Sequence, residues 1–321
     1  MRFSRELLTR EAQETGFRPE ILEKALQLLH LLESFLSHPY LKDRIVLKGG
    51  TALNLFYFDI PRLSVDIDLN YVGAIDRETM MQERPHVEEA IQAVCSRENF
   101  NVRRQPEEHA GGKWSLRYES GLDQGGNLEV DLNFMFREPL WPAVKMDSRP
   151  IGSYQIKAVP VLDINELAAG KLAALLSRQA SRDLFDVHRL LNQSELDKEK
   201  LRLAFVVYGA MNRKDWRTVS QEDVNFDTRE LESQLIPVLT EALTEDINIQ
   251  DWTETLVKEC RQALSALLPL NENEIEFLTK INEQGEIEPD LLTTDSGMQE
   301  IIIRHPQLNW KALNVKRHKN R

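Results

Sequence analysis

Residues 44–70 read RIVLKGGTALNLFYFDIPRLSVDIDLN. Gly49-Gly50-Thr51 opens a short apolar helix, and about fifteen residues on, Ser64–Leu69 alternates as a strand does. Val65, Ile67 and Leu69 point one way; Asp66 and Asp68 point the other. Two carboxylates on one face, backed by an apolar face, supply oxygen ligands for a hard divalent cation such as Mg2+. The glycines present bare backbone N–H groups at a helix start, an arrangement suited to phosphate. Together the two parts suggest metal-assisted chemistry on a nucleoside triphosphate.

Working outward, residues 4–17 read as a short helix. Ile21–Leu36 reads as a core helix, with Leu22, Ala25, Leu26, Leu29, Leu32 and Leu36 at helical spacing. Residues 78–97 form another helix, its apolar face on Val87, Ala90, Ile91 and Val94. A β-rich region follows: a short strand at Asn101–Arg104, an exposed loop over residues 106–112, and a hairpin. Its strands, Lys113–Ser120 and Asn127–Phe136, flank the turn residues GLDQGG. In the second strand Glu129, Asp131 and Asn133 lie opposite the apolar set. If this strand neighbours that of Asp66 and Asp68, three carboxylates converge; the alternative is that Asp131 simply faces solvent.

Ile156–Leu162 reads as a further strand, and Asp163 with Glu166 fits a capping pattern for a helix running to about Leu191. With Lys171 at zero and about 100° per residue, Arg178, Arg182 and Asp186 fall at about −20°, +20° and +60°. Leu172, Leu176, Val187 and Leu190 occupy the adjoining apolar side. The bland reading is a solvated face with a routine Arg182–Asp186 pair; beside the Gly-Gly and Asp-x-Asp elements the balance turns to function. Helices are expected at 195–207, 229–246, 251–267, 272–283 and 297–312, broken at Gly285 and Pro289, with Trp252 and Trp310 in the core.

The chain has 321 residues, 41% hydrophobic and 29% charged, ordinary for a globular protein and long enough for two domains. No apolar run approaches the roughly 18 residues that cross a bilayer, and MRFSRELLTREAQE lacks the apolar core of a secretion signal. Cys95 and Cys260, far apart in sequence, suit a reducing cytoplasm better than a disulfide scaffold. The net charge is −12, but residues 221–300 alone hold 20 Asp+Glu against 4 Lys+Arg. The acidity is local, so a basic groove elsewhere is compatible with it. The acidic block would either dock a basic partner or face solvent. Lys316, Arg317, His318, Lys319 and Arg321 form either a nucleic-acid-contacting arm or a frayed tail.

VLKGGTALNLF, RLSVDIDL, LEVDLNF and ELAAGKLAALLSRQASRDLFDVHRL, in this order over about residues 44–191, resemble the AbiEii-type nucleotidyltransferase toxins. These are the toxin halves of abortive-infection, type IV toxin–antitoxin pairs, within the DNA polymerase β-like superfamily. The resemblance implies an α+β fold: a mixed sheet flanked by helices over residues 1–195, then a helical C-terminal domain over 196–321. It implies Asp66, Asp68 and Asp131 as Mg2+ ligands, Lys171 against the triphosphate, and Asp186, or else Asp183, as the acidic residue of its helix. Lys48, Gly49, Gly50, Thr51, Ser64, Arg178, Arg182 and Asp183 are the expected substrate-binding set. Many polymerase β-like enzymes have Gly-Ser where this chain has Gly50-Thr51; the threonine keeps the hydroxyl. The implied activity moves NMP from an NTP to an RNA acceptor, with the tRNA 3′ end as candidate. An antitoxin is the implied partner, and phage defence in the cytoplasm the implied setting. Two other readings stand beside it: an NTP-binding toxin acting by sequestration, and an Asp-x-Asp glycosyltransferase. Asp131 is the candidate general base, with metal alone as the alternative.

Overall fold

The structure, a computed structural model, describes residues 3–104, 111–122, 125–245 and 248–319. The chain divides into two units: Met1–Arg137, Ala143–Leu162 and Ile236–Ile247 in the first; Glu138–Pro142, Asp163–Leu235 and Asn248–Arg321 in the second. The expected division near residue 195 falls inside the second of these.

Seven strands build the first unit: β1 (Ile45–Lys48), β2 (Asp66–Tyr71), β3 (Asn101–Arg104), β4 (Gly111–Tyr118), β5 (Gly126–Asn133), β6 (Val144–Met146) and β7 (Val159–Val161). Their order is β3-β4-β5-β2-β1-β7-β6, a mixed sheet in which β2–β5 and β1–β7 are parallel and the other pairs antiparallel. Alternation sorts the faces: Ile67, Leu69, Trp114, Leu116, Leu128, Val130 and Leu132 are all buried, while Asp66, Asp68 and Asp131 are half-buried. Helix Pro19–Ser37 packs on β2 and β5, and helix Arg77–Arg97 packs on it in turn. Glu23 ties that first helix to the end of β4 by accepting from the Ser120 hydroxyl at 2.5 Å and from the Gly121 N–H at 2.7 Å. The strand expected at Ile156–Leu162 shortens to three residues, because Ala158 takes a positive φ of 54° directly before it. The loop expected at 106–112 lies outside the described residues up to 110; Gly111 and Gly112 already belong to β4.

The second unit is helical. Helix Ile164–Arg178 packs on Lys198–Met211, and Ser181–Gln193 on Ile249–Leu264. Three expected helices break. The one over 163–191 divides at Gln179, which adopts the left-handed conformation with its N–H donated to Leu175 O. The one over 229–246 fragments around Pro237, which has no N–H to give. The one over 297–312 restarts at Pro306. Trp310 is 53% exposed rather than core, and Trp252 is half-buried, 6.2 Å from the Phe185 ring. Part of the acidic block is paired inside the unit: Glu274 with Arg202, Glu283 with Arg217, Glu288 with Lys280 and Glu222 with Arg261.

Candidate active site

In the sheet unit, strand register assembles a charged row. Lys48 on β1 stands beside Asp68 on β2, Asp68 beside Asp131 on β5, and Asp131 beside Lys113 on β4. Side chains of such cross-strand partners share a face, so the row reads cation, anion, anion, cation. Asp66, two residues along β2, faces Glu129, which Lys113 engages at 2.6 Å. That hydrogen bond, helped by the charges of Asp66 and Asp131, raises the Lys113 pKa above its ordinary value. Three carboxylates that the sequence places on alternating positions are thus set on adjacent strands.

The Gly-Gly turn is shaped by the same strand. Gly49 has φ +73°, a conformation L side chains rarely adopt, and a Cβ there would collide with the Asp68 carboxylate. A Cβ on Gly50 would come within 2.9 Å of the Arg62 guanidinium and 3.3 Å of the Ser64 hydroxyl. Thr51 is fully buried: its hydroxyl donates to Asp66 O at 2.5 Å and lies 2.8 Å from the Ser64 hydroxyl. Thr51 and Ser64, both expected in the substrate-binding set, are buried and fasten the glycine helix to the carboxylate strand. The Thr51 hydroxyl is committed to Asp66 O. Lys48 extends over the Phe136 ring at 5.8 Å.

The donor set suits a hard cation. Asp68 and Asp131 are like charges in direct register, an arrangement that destabilises a sheet unless something compensates, and both are oxygen donors. One row beyond Asp68 on the same face, Asn70 is buried, and its Oδ1 has no hydrogen-bond partner among the described residues. Among the described residues, no three acidic, His or Cys side chains already close into a metal-holding group; the Asp68 carboxylate leans over Gly49 instead.

The helical unit holds the second predicted cluster. Because the chain breaks at Gln179, Lys171 and Asp186 do not sit on one continuous helix face as expected. They meet across a helix–turn–helix. Lys171 Nζ lies 2.9 Å from Asp183 and 2.8 Å from Asp186, both carboxylates almost wholly buried. Arg178 reaches Asp183 at 2.7 Å from the solvent side. Burial alone would push the Asp183 pKa up, but Lys171 and Arg178 hold it below the ordinary value. Arg182 is half-buried one position before Asp183. Lys171 holds both buried carboxylates, so displacing its ammonium from either would be costly.

Two residues that were not named as site candidates from the sequence stand at the sheet site. Lys113 was legible in principle, since it is antiparallel to Asp131 once the hairpin is drawn. Arg62, the first residue of the RLSVDIDL motif, is 2% exposed beneath the Gly-Gly turn; the motif marks the position, but its burial is not visible in the sequence. In the helical unit, Glu166 does not cap its own helix. It accepts from Leu140 N–H at 3.0 Å and the Tyr208 hydroxyl at 2.9 Å, and burial raises its pKa to about 7.

Residues 30–267 match the family described as nucleotidyl transferase AbiEii toxin of type IV toxin–antitoxin systems. No individual curated protein sequence matches the chain. Among solved structures, MenT4, a nucleotidyltransferase toxin from Mycobacterium tuberculosis H37Rv, shares the fold, with a TM-score of 0.62 at 18% identity over 94% of this chain and 98% of that one. The chain belongs to the AbiEii nucleotidyltransferase toxin family.

Proposed function

We propose that this AbiEii-family nucleotidyltransferase moves a nucleoside monophosphate from an NTP to a hydroxyl of an RNA acceptor, with the tRNA 3′ end as first candidate, and depends on Mg2+. The observation that carries the reading is the four-strand row Lys48–Asp68–Asp131–Lys113 with Asp66 beside it. Asp66, Asp68 and Asp131 would hold the metal. When bound, Mg2+ would neutralise charge developing on the phosphates and favour in-line attack. The protein's own groups do the rest. The Gly49–Gly50 backbone offers N–H groups to a phosphate. Lys48 at the end of β1 adds a fixed positive charge against the departing pyrophosphate. Arg62, Thr51 and Ser64 position the turn from below. Asp131 is the candidate base for the acceptor hydroxyl. The Asp68 carboxylate lies over Gly49, so a phosphate bound there would meet a like charge that Mg2+, if held by Asp66, Asp68 and Asp131, would offset.

Lys171 would contact the triphosphate, with Asp183 and Asp186 orienting its ammonium. The setting is an antitoxin-regulated toxin acting against phage in the cytoplasm, where the free, buried Cys95 and Cys260 persist as thiols. No helix among the described residues is long and apolar enough to cross a membrane. The test is transfer of α-labelled NTPs to total tRNA with Mg2+, alongside Asp66→Ala and a chelator. Label entering RNA only with intact Asp66 and metal supports the reading. NTP binding without transfer in the intact protein favours sequestration instead.

A further inference from the structure

The charge on the polar face of the sheet changes sign from strand to strand. On β2 and β5 that face carries Asp66, Asp68, Glu129 and Asp131, all acidic. On β4 and β3 it carries Lys113, Arg117 and Arg104 and no acid, because Arg117 pairs with Asn127 and Asn101, and Arg104 pairs with Ser115 across a register shift after Val102. That shift matters: it turns Arg104 onto the same face as Ser115, where simple alternation from Asn101 would have turned it away. All three cations are exposed. Lys113 is tied to Glu129 at the boundary between the acidic and basic strands.

We propose that β3 and β4 form the docking track for the acceptor's ribose-phosphate backbone, with Arg104 and Arg117 as its phosphate contacts and Lys113 as the hinge to the carboxylate row. The inference rests on RNA being the acceptor. The track is continuous, strand by strand, with the row that would hold the metal, so an acceptor lying along it brings its terminal hydroxyl toward Asp131. It runs about 13 Å from Lys113 to Arg117 at the rise of a strand, on an open sheet face; that shape suits a chain of phosphates better than one compact nucleotide. Arginine's fork is suited to phosphate oxygens, and such contacts carry affinity without reading sequence. The acidic strands repel the same backbone, which confines it to the outer strands.

The experiment compares the full-length protein with the double variant Arg104→Gln/Arg117→Gln and with Arg104→Lys/Arg117→Lys. Binding of total tRNA is measured over a salt series, and transfer kinetics with RNA and NTP varied separately. The glutamine variant is expected to bind RNA about tenfold more weakly, with the slope of log affinity against log salt reduced by about 1.4–2. KM for RNA should rise with it, KM for NTP should not, and the lysine variant should recover most of the binding. Unchanged RNA binding in the glutamine variant, with transfer by the intact protein in hand, overturns the track and leaves the transfer reading standing. A rise confined to KM for NTP assigns these cations to the triphosphate and also overturns it. An intact protein that moves no nucleotide into RNA removes the acceptor reading and the track together.

Discussion

On the sheet, Asp66, Asp68 and Asp131 stand half-exposed with like charges side by side. In the helical unit, Asp183 and Asp186 are buried and share one lysine. The sheet leaves carboxylates at the surface in an arrangement that opposes its own stability; the helices surround theirs with cations from the same chain. The sheet row sets like charges side by side with Lys48 and Lys113 at its two ends, an arrangement that a bound cation would relieve, whereas the helical cluster closes two buried carboxylates on one lysine. The two clusters therefore differ in what their removal should cost first: chemistry on the sheet, stability in the helices.

The sharpest way to break this contrast is Asp66→Ala. Nucleotide transfer should fall by about a thousandfold or more, roughly 4 kcal/mol of transition-state stabilisation, while thermal stability barely moves. A variant that unfolds along with its loss of transfer would place Asp66 among the structural carboxylates. Lys171→Met tests the other side. It strands two buried carboxylates and should lower stability by about 3–5 kcal/mol, read as a drop in Tm of roughly 6–20 °C. Adding Asp183→Asn and Asp186→Asn should restore most of it. No loss of Tm would make the cluster a catalytic one.

Glu166 adds a pH dimension to the helical unit. Its pKa, about 7 when folded against an ordinary 4.5, is raised, so its contribution is intact below about 4.5 and is lost as pH rises through about 7. The loss amounts to about 3 kcal/mol. Melting temperature measured from pH 5 to 8 should fall with pH, and Glu166→Gln, which keeps an acceptor for Tyr208 and Leu140, should flatten the profile. Parallel profiles for the two proteins would exclude Glu166 as the source. The smallest effect is expected at Gly49→Ala, where positive φ and the crowding of Asp68 cost about 1–2 kcal/mol. There transfer should drop more than stability, because the displaced group is itself a proposed ligand.

The carboxylate row was the most legible part of the molecule. Strand alternation needs only local sequence, and Asp66, Asp68 and Asp131 each declared a face before their strands were known to be neighbours. What alternation does not supply is register. The pairing of Lys48 with Asp68 and the turning of Arg104 onto the polar face depend on how strands slide past one another, which no single strand records. The helix break at Gln179 was hidden for a different reason. Gln and Ala both favour helix, and the turn is imposed by the contacts that Lys171, Asp183 and Asp186 gain when the chain folds back. The fragmentation around Pro237 could have been read from the proline itself.

The sheet unit draws on chain made far apart in time. Leu63, at the approach to the carboxylate strand, donates its N–H to Val238 O, and Arg62 bridges to Leu239. A ribosome that has just made Leu63 reaches Val238 about 175 residues later, roughly 10–35 s at 5–20 residues per second. From the synthesis of Asp131 until then, the nascent chain holds every carboxylate of the row but not the bridge from Arg62 to Leu239. A sheet unit whose last segment, Ile236–Ile247, arrives this late stays incomplete through most of the chain's own translation.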